Sequence, residues 1–294
     1  MDTATSSGPR PAAQPWRRSE YDRLSVTGIT PISDKEFFQF QRFIFDAAGI
    51  TLSESKKALV SGRLAKRLQH LELDRYGDYF QLLASGAAPA EVQTAIDLLT
   101  TNETYFFREP KHFDLLREQA LAARRRPHAF RVWSAASSSG EEAYSIAMVL
   151  ADCLDNAPWE VVGSDISARV LQRASAGHYP LERTKYIPPD YLRRFCLKGI
   201  DAQQGTLLIE RNLRSRVHFR QVNLNSALPE IGTFDVIFLR NVMIYFSSDT
   251  RRQVVARVLS VLKPGGHFCV GHSESLHDVT TSVQALAPSI YLKP

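Results

Sequence analysis

From position 33 to about 123 the apolar residues recur at three- and four-residue intervals, and from 130 onward short apolar runs alternate with further helical stretches. The chain therefore predicts a helical block followed by an alternating strand–helix block. Phe37, Phe40, Ile44 and Ala48 share a helical face behind Ser33 and Glu36, a capping-box pair, and Gly49 suits the position just past the helix. A second helix is expected over 53–70, with Val60, Leu64, Leu68 and Leu71 on one face. Others are expected over 76–84, over 89–99 with Pro89 in the first turn, and from Pro110 through His112, Leu115, Leu116 and Ala120. Residues 99–110 mix Thr, Asn and Arg with three aromatics. They read as a loop that packs at one end and offers hydrogen bonds at the other.

In the second block Phe130, Val132 and Trp133 form a strand that runs into small residues over 134–140, then a helix face of Tyr144, Ile146, Ala147 and Leu150. A strand over 160–164 ends in Asp165, and helical pattern resumes over 168–176. The stretch from 177 to about 216 breaks the alternation and reads as an inserted β-subdomain, with a short helix over 191–195 and a strand over 206–210. A strand at 217–221 returns to the main sheet and delivers Asn223 and Leu224. An apolar strand at 234–239, a helix over 249–262, a Lys-Pro-Gly-Gly turn, a strand over 267–271 and an antiparallel edge strand over 289–293 follow. This order predicts an α/β, Rossmann-like sheet over 127–294 with a small inserted β-subdomain over about 177–216. An all-α unit over 31–109 and a linker helix over 110–126 precede it.

Composition sets the class. With 294 residues, 44% of them apolar, the chain can bury a sizeable core. No apolar run approaches the roughly 18 to 20 residues of a membrane span, and no secretory leader pattern opens the sequence, so a cytoplasmic address is expected. Cys153, Cys196 and Cys269 are odd in number and lack Cys-x-x-Cys spacing, which argues against a disulfide framework and a zinc site; no metal is expected. A net charge of +5 leaves nucleic acid, anionic membrane and acidic protein open as partners. Residues 1–30 carry Pro, Ser, Thr and Arg with little periodicity and read as a disordered tail, in which Trp16-Arg17-Arg18 is either a docking peptide or plain solvated chain.

The chemistry concentrates in residues 132–148. Strand, tight turn of small residues and helix make a nucleotide-type cradle, although only Gly140 remains of the usual Gly-rich fingerprint. Glu141 and Glu142 at the helix start would repel a pyrophosphate, so the ligand should be neutral or cationic there. S-adenosylmethionine, with its sulfonium and ammonium, fits that demand. Asp165, at the end of the second strand, stands where open α/β folds bind ribose hydroxyls. A methyltransferase sheet is the fold that joins these features.

On the 53–70 helix, Lys56, Arg63, Lys66, Arg67 and His70 line one stripe with no acid among them, which suits either water or an acidic partner.

Several stretches carry a resemblance to the bacterial chemotaxis receptor glutamate methyltransferases, the CheR family. They are Leu-Thr-Thr-Asn-Glu-Thr-Tyr-Phe-Phe-Arg-Glu at 99–109, Trp-Ser-Ala-Ala-Ser-Ser-Ser-Gly-Glu-Glu at 133–142, Ser-Asp-Ile at 164–166, Arg-Asn-Val-Met-Ile-Tyr-Phe at 240–246 and Gly-His-Ser-Glu at 271–274. The resemblance spans about 33–294; Ala143 departs from it, where the family usually has proline. It implies an S-adenosylmethionine-dependent protein-glutamate O-methyltransferase that esterifies receptor glutamates for sensory adaptation. It further implies that Asn102, Thr104, Arg108, Glu142, Asp165, Asn223, Leu224, Arg240 and Asn241 line the cofactor site. Arg108 would pair with a carboxylate, and Tyr245 would lie near the methyl group. Arg240 and Asn241 could equally cap a strand, Tyr245 could be a core tyrosine, and His272 reads as structural. Lys56, Arg63, Lys66 and Arg67 become candidate docking residues for the helical methylation region of a receptor, to which the protein would be recruited in arrays. The inserted β-subdomain resembles one that takes a receptor's C-terminal peptide at its edge. A non-catalytic S-adenosylmethionine sensor or scaffold is the rival reading from another class. A nucleic-acid methyltransferase is a weaker one, because Arg240-Asn241-Val242-Met243 replaces the usual Asn- or Asp-Pro-Pro-aromatic turn.

Overall fold

The computed structural model describes residues 29–294, so most of the expected tail, with Trp16, Arg17 and Arg18, lies outside the described residues. Helix α1 (Asp34–Ala48) begins in the expected capping box: Glu36 N–H donates to Ser33 Oγ and Ser33 N–H to Glu36 Oε2. Glu36 Oε1 also accepts from Gly77 N–H at 2.7 Å, tying α1 to the chain 41 residues on. The expected 53–70 helix is a 3-10 turn (Glu54–Lys56) followed by α2 (Lys57–His70). Helices α3 (Tyr76–Ala84) and α4 (Pro89–Leu99) complete the unit, whose core gathers Phe40, Ile44, Val60, Leu64, Leu68, Tyr76 and Tyr79. Helix α5 (Lys111–Ala123) leads to the sheet.

The sheet starts with β1 (Phe130–Ser134), α6 (Glu141–Leu154), β2 (Trp159–Asp165) and α7 (Ala168–Ala176). An insertion follows: β3 (His178–Pro180), α8 (Pro189–Phe195), β4 (Cys196–Lys198), β5 (Thr206–Ile209) and the single turn α9 (Arg211–Arg214). The chain then returns through β6 (Val217–Gln221), β7 (Phe234–Leu239), α10 (Ser248–Ser260), β8 (Leu262–Val270), β9 (Gln284–Ala287) and β10 (Ile290–Leu292). The main sheet runs β6-β2-β1-β7-β8-β10-β9, and the insertion forms a separate antiparallel sheet, β3-β5-β4. Strands β6, β2, β1, β7 and β8 are parallel. Their residues alternate between two cores. Val132, Val161, Val236 and Phe238 face α5 and α6, while Trp133, Val162, Ile237 and Phe268 face α10. Burial on both faces explains why the central strands read as unbroken apolar runs.

Three sequence expectations change. The edge strand is β9, not the terminal β10, which sits between β8 and β9. Gln-Ala-Leu-Ala is exposed throughout and carries no alternation to reveal it. Strand β8 begins at Leu262, so the Pro-Gly-Gly segment lies inside the strand, and a register shift between Phe234 and Val236 of β7 absorbs it. The insertion has two strands, β3 and β4, too short to give a periodic signal.

The helical unit is fastened to the carboxyl ends of the strands. Gly49 ends α1 at φ 72°, and an added Cβ would come within 2.7 Å of Thr250, so both backbone conformation and close approach require glycine. Just beyond it Thr51 N–H donates to the Tyr245 carbonyl at 2.8 Å. Asp97 of α4 makes a further attachment. Helix α7 has Ser167 at its N-cap, but that side chain makes no capping bond. Asp97 supplies the cap across the interface, accepting from Ala168 N–H at 3.0 Å and Arg169 N–H at 3.1 Å. Replacing Asp97 with alanine is expected to cost about 0.5–2 kcal/mol of stability, the range for losing a helix cap. Chemical denaturation would show it as a lower midpoint with an unchanged slope.

Candidate active site

A cleft of about 620 Å³ opens where the parallel strands end, within the usual range for a ligand site. Its floor is the turn after β1, where Ala135, Ala136 and Ser138 keep bulk away from the backbone. One wall is the 99–108 loop and the other the segment after β7, while Ile50, Thr51, Lys56 and Arg63 close it from the helical unit. Asn102, Thr104, Arg108, Glu142, Asp165, Asn223, Leu224, Arg240, Asn241 and Tyr245 all line it.

Asp165 stands at the C-terminal end of β2. It is 7% exposed and accepts from Ser138 N–H at 2.9 Å and Ser167 N–H at 3.0 Å. Burial outweighs these bonds and pushes its carboxyl up to about 6. A carboxylate so placed has lone pairs left for hydroxyl donors. Ser138, at φ 49°, is held in the left-handed region that aims its N–H at Asp165, and its Oγ donates to the Asn102 carbonyl at 2.8 Å. The turn thus orients Asp165 and anchors the 99–108 loop.

The two glutamates at the start of α6 part company. Glu142 lines the cleft, whereas Glu141 is fully buried outside it, 2.6 Å from Arg183 of the inserted subdomain and accepting from Ser139 Oγ. Only one of the two can act on a ligand. Glu142 is itself engaged, accepting from Ser134 Oγ at 2.6 Å and from Arg240 Nη1 at 2.8 Å. Gly140 serves packing and not ligand approach: at φ 95°, an added Cβ would lie 2.8 Å from Ala174 Cβ.

Arg240, just past β7, has a side chain 1% exposed and clamps three segments. It pairs with Glu142, with Glu109 at 3.0 Å and with the Arg108 carbonyl. Burial raises the Glu109 carboxyl, but Arg240, His272 N–H and Asn241 outweigh it and hold the group below its ordinary value. The neighbouring His112 is pushed down to about 4, first by burial and then by the Arg240 charge, so its ring is neutral. Arg240 is therefore more than a strand cap. Asn241 adopts φ 57° and donates its backbone N–H to Glu274 at 2.8 Å. Glu274 also accepts from Met243, Ile244 and Gly271 N–H groups. Its carboxyl is raised by burial against those four donors. This buried staple shapes the 241–245 turn and so presents Tyr245, whose side chain is half-buried at the cleft wall.

Other expected residues are partly committed elsewhere. Asn223 donates to the Ala47 carbonyl at 2.7 Å and accepts from Asn225 N–H, and the Leu224 carbonyl accepts from Arg257. Arg108 donates to the Glu103 carbonyl and lies over the Tyr105 ring. The basic stripe of α2 divides. Arg63 turns into the cleft and donates to the Leu99 and Thr100 carbonyls and to Thr101 Oγ1. Arg67 pairs with Glu91, which also accepts from Tyr79. Lys56, Lys66 and His70 remain exposed. The acid absent from the helix itself is supplied by α4. Reading the sequence alone gave no role to Asp97, Glu109, Arg183 or Glu274; Glu109 and Glu274 lie in the motifs noted above, but their partners come from distant segments.

The donor set suits S-adenosylmethionine. Asp165 has free lone pairs for vicinal hydroxyls, the small residues of the turn admit the ligand to the backbone, and Glu142 leaves acidity beside the Arg240 clamp. Residues 102–291 match the family described as CheR methyltransferase, SAM binding domain, and residues 35–100 match CheR methyltransferase, all-alpha domain. A chemotaxis protein methyltransferase of Salmonella typhimurium is 40% identical over 271 residues, covering 91% of this chain and 93% of that protein. Another from Escherichia coli is 40% identical with coverage of 91% and 94%. Chemotaxis protein methyltransferase 2 of Pseudomonas aeruginosa is 40% identical over 260 residues, covering 87% and 92%. With both halves of its fold matched and its cleft lined by the motif residues, the chain belongs to the CheR methyltransferase family.

Proposed function

We propose that this chain transfers the methyl group of S-adenosylmethionine to glutamate side chains of chemoreceptors, forming methyl esters that serve sensory adaptation. The observation that carries the acceptor chemistry is the presence of Arg108 and Tyr245 in the cleft lining, a cation and a hydroxyl suited to a carboxylate. A glutamate, with an ordinary pKa of about 4.3, is ionised at neutral pH and requires no base. S-adenosylmethionine supplies the methyl as an electrophilic sulfonium. Asp165 binds and orients the ribose, while Asn223 and the Leu224 backbone border the adenine side. Asn102 and Thr104 close the loop wall, Glu142 faces the cationic end, and Arg240 with Asn241 fixes the wall opposite. Arg108 pairs with a carboxylate, and the Tyr245 hydroxyl orients the incoming glutamate. Attack joins opposite charges and leaves neutral products, so alignment and exclusion of water favour it. No metal takes part in the transfer.

The receptor's helical methylation region meets the face carrying Lys56 and Lys66, with Arg63 and Arg67 behind them, in the cytoplasm at receptor arrays. Changing Lys56 and Lys66 together to glutamine is expected to lower receptor methylation several-fold at saturating cofactor while the melting temperature stays unchanged. Equal methylation by the double variant would remove these lysines from docking. The inserted sheet offers a strand edge to a receptor C-terminal peptide.

The reaction class is tested with methyl-labelled S-adenosylmethionine and receptor-containing membranes, followed by mild alkali. Label released as methanol is the expected result. Alkali-stable label would rule out the carboxyl ester, and absence of receptor label despite cofactor binding would favour a sensor.

A further inference from the structure

Where the 99–108 loop enters α5, Glu109 and His112 stand three residues apart in the chain, and the fold brings His272 to them. Glu109 Oε2 lies 3.5 Å from His112 Nδ1 and 3.9 Å from His272 Nε2. The three candidate ligand atoms lie within 4.8 Å of one another. The tautomer of His112 follows from its other nitrogen. Nε2 is 2.8 Å from Ser289 Oγ, and Ser289 donates its own hydroxyl hydrogen to the Pro288 carbonyl at 2.6 Å. With the hydroxyl hydrogen on that carbonyl the serine oxygen accepts, an arrangement in which Nε2 carries the hydrogen and Nδ1 is free to present a lone pair to an ion.

That lone pair has nothing to bind. The His112 side chain is fully buried and Nδ1 has no hydrogen-bond partner, while a Glu109 carboxylate oxygen, also an acceptor, lies 3.5 Å away. Two acceptors facing each other in a dry site are unfavourable unless a cation stands between them. The His272 ring adds a third lone pair, and it is half exposed, which gives an ion a way in from solvent. Two imidazoles and one carboxylate form the donor set of a borderline divalent ion, with water in the fourth position.

We propose that Glu109, His112 and His272 form a binding site for a zinc-class divalent ion, and that its occupation inhibits the enzyme. Inhibition follows from sharing: Arg240 holds the same Glu109 oxygen at 3.0 Å, so an ion there loosens the clamp that fixes the cleft walls. With Glu142 as the other partner of Arg240, the surrounding carboxylates outnumber the guanidinium and offset part of its repulsion of a cation. The site stands beside the methyl-transfer cleft and supplies nothing to the reaction.

The full chain, stripped of metal, is titrated with cobalt(II), and the visible d–d bands are read. One equivalent should give the spectrum of a four-coordinate ion, and zinc should bleach it. His272→Ala should abolish the bands, whereas His277→Ala, at an exposed histidine paired only with Asp278, should retain them. No bands in the native protein, or the same bands in His272→Ala, would overturn the site. In the transfer assay, equimolar zinc should slow the native protein and spare His272→Ala; equal slowing of both would overturn the inhibitory role. The cobalt readout is independent of methyl transfer, so the site and the proposed reaction fail separately.

Discussion

Replacing Asp165 with asparagine is expected to weaken S-adenosylmethionine binding about 100-fold, as measured by calorimetry. In the proposed role the carboxylate would accept from two vicinal hydroxyls, and hydrogen bonds to a charged group contribute about 1.5–3 kcal/mol each. Losing the charge and one acceptor removes about 3 kcal/mol, which is roughly two orders of magnitude in affinity. A pH dependence distinguishes this role from a merely structural one. Burial raises the Asp165 carboxyl to about 6, and hydroxyl donors favour the ionised form. Cofactor affinity should therefore fall as pH drops below 6 in the native protein and stay flat in Asp165→Asn. Stability of the ligand-free protein should run the other way. The native carboxyl holds its proton up to about 6, whereas the unfolded one releases it near 3.9. The stabilisation conferred by the proton is complete below the lower value and lost as pH rises through the upper one. Saturating cofactor should flatten that loss.

Arg240→Ala should have the largest effect on stability. Removing the guanidinium leaves Glu109 and Glu142 nearly buried and without their shared counter-charge, a change that typically costs about 3–5 kcal/mol. The melting midpoint should fall by about 10 °C, at roughly 2–4 °C per kcal/mol for a chain of this size. Methyl transfer should fall at least 100-fold, because the 99–108 loop and the Asn241 turn lose their common anchor. Arg240→Lys keeps the charge but cannot reach both carboxylates and the Arg108 carbonyl, so it should restore stability more than rate. Pairing Arg240→Met with Glu142→Gln should recover part of the lost stability and none of the rate, a non-additivity expected of groups that share one network.

What the sequence disclosed follows from which interactions are local. The capping box of α1, Pro89 opening α4 and the strand–turn–helix at 130–154 are written within a few residues, and each was legible. The motifs also brought the cleft-lining residues into view before their geometry was known. Partners supplied by distant segments left no such signal. Glu109 meets Arg240 across 131 residues, and Asp97 caps α7 across 71. The helical wheel placed Arg63 and Arg67 on one stripe but could not show that α4 stands against it with Glu91 and the Leu99 carbonyl. Spacing likewise argued against zinc because it looked for cysteines, while Glu109 and His112 stand three residues apart and the fold alone brings His272 to them. The short strands β3, β4 and β9 were missed because three or four residues are too few for a period of two to stand out.

The place of β1 in the middle of the sheet bears on how the protein is made. Its backbone and that of β7 meet across 104 residues of chain, as in the pairing of Val132 with Val236. On a ribosome delivering about 5–20 residues per second, one side of β1 stays unpaired for roughly 5–20 seconds after the strand itself emerges. During that interval Val132 and Trp133 present apolar surface beside an open hydrogen-bonding edge, a combination prone to wrong association. Translation speed through the inserted subdomain, which lengthens this wait, should thus govern how much newly made chain reaches the native state.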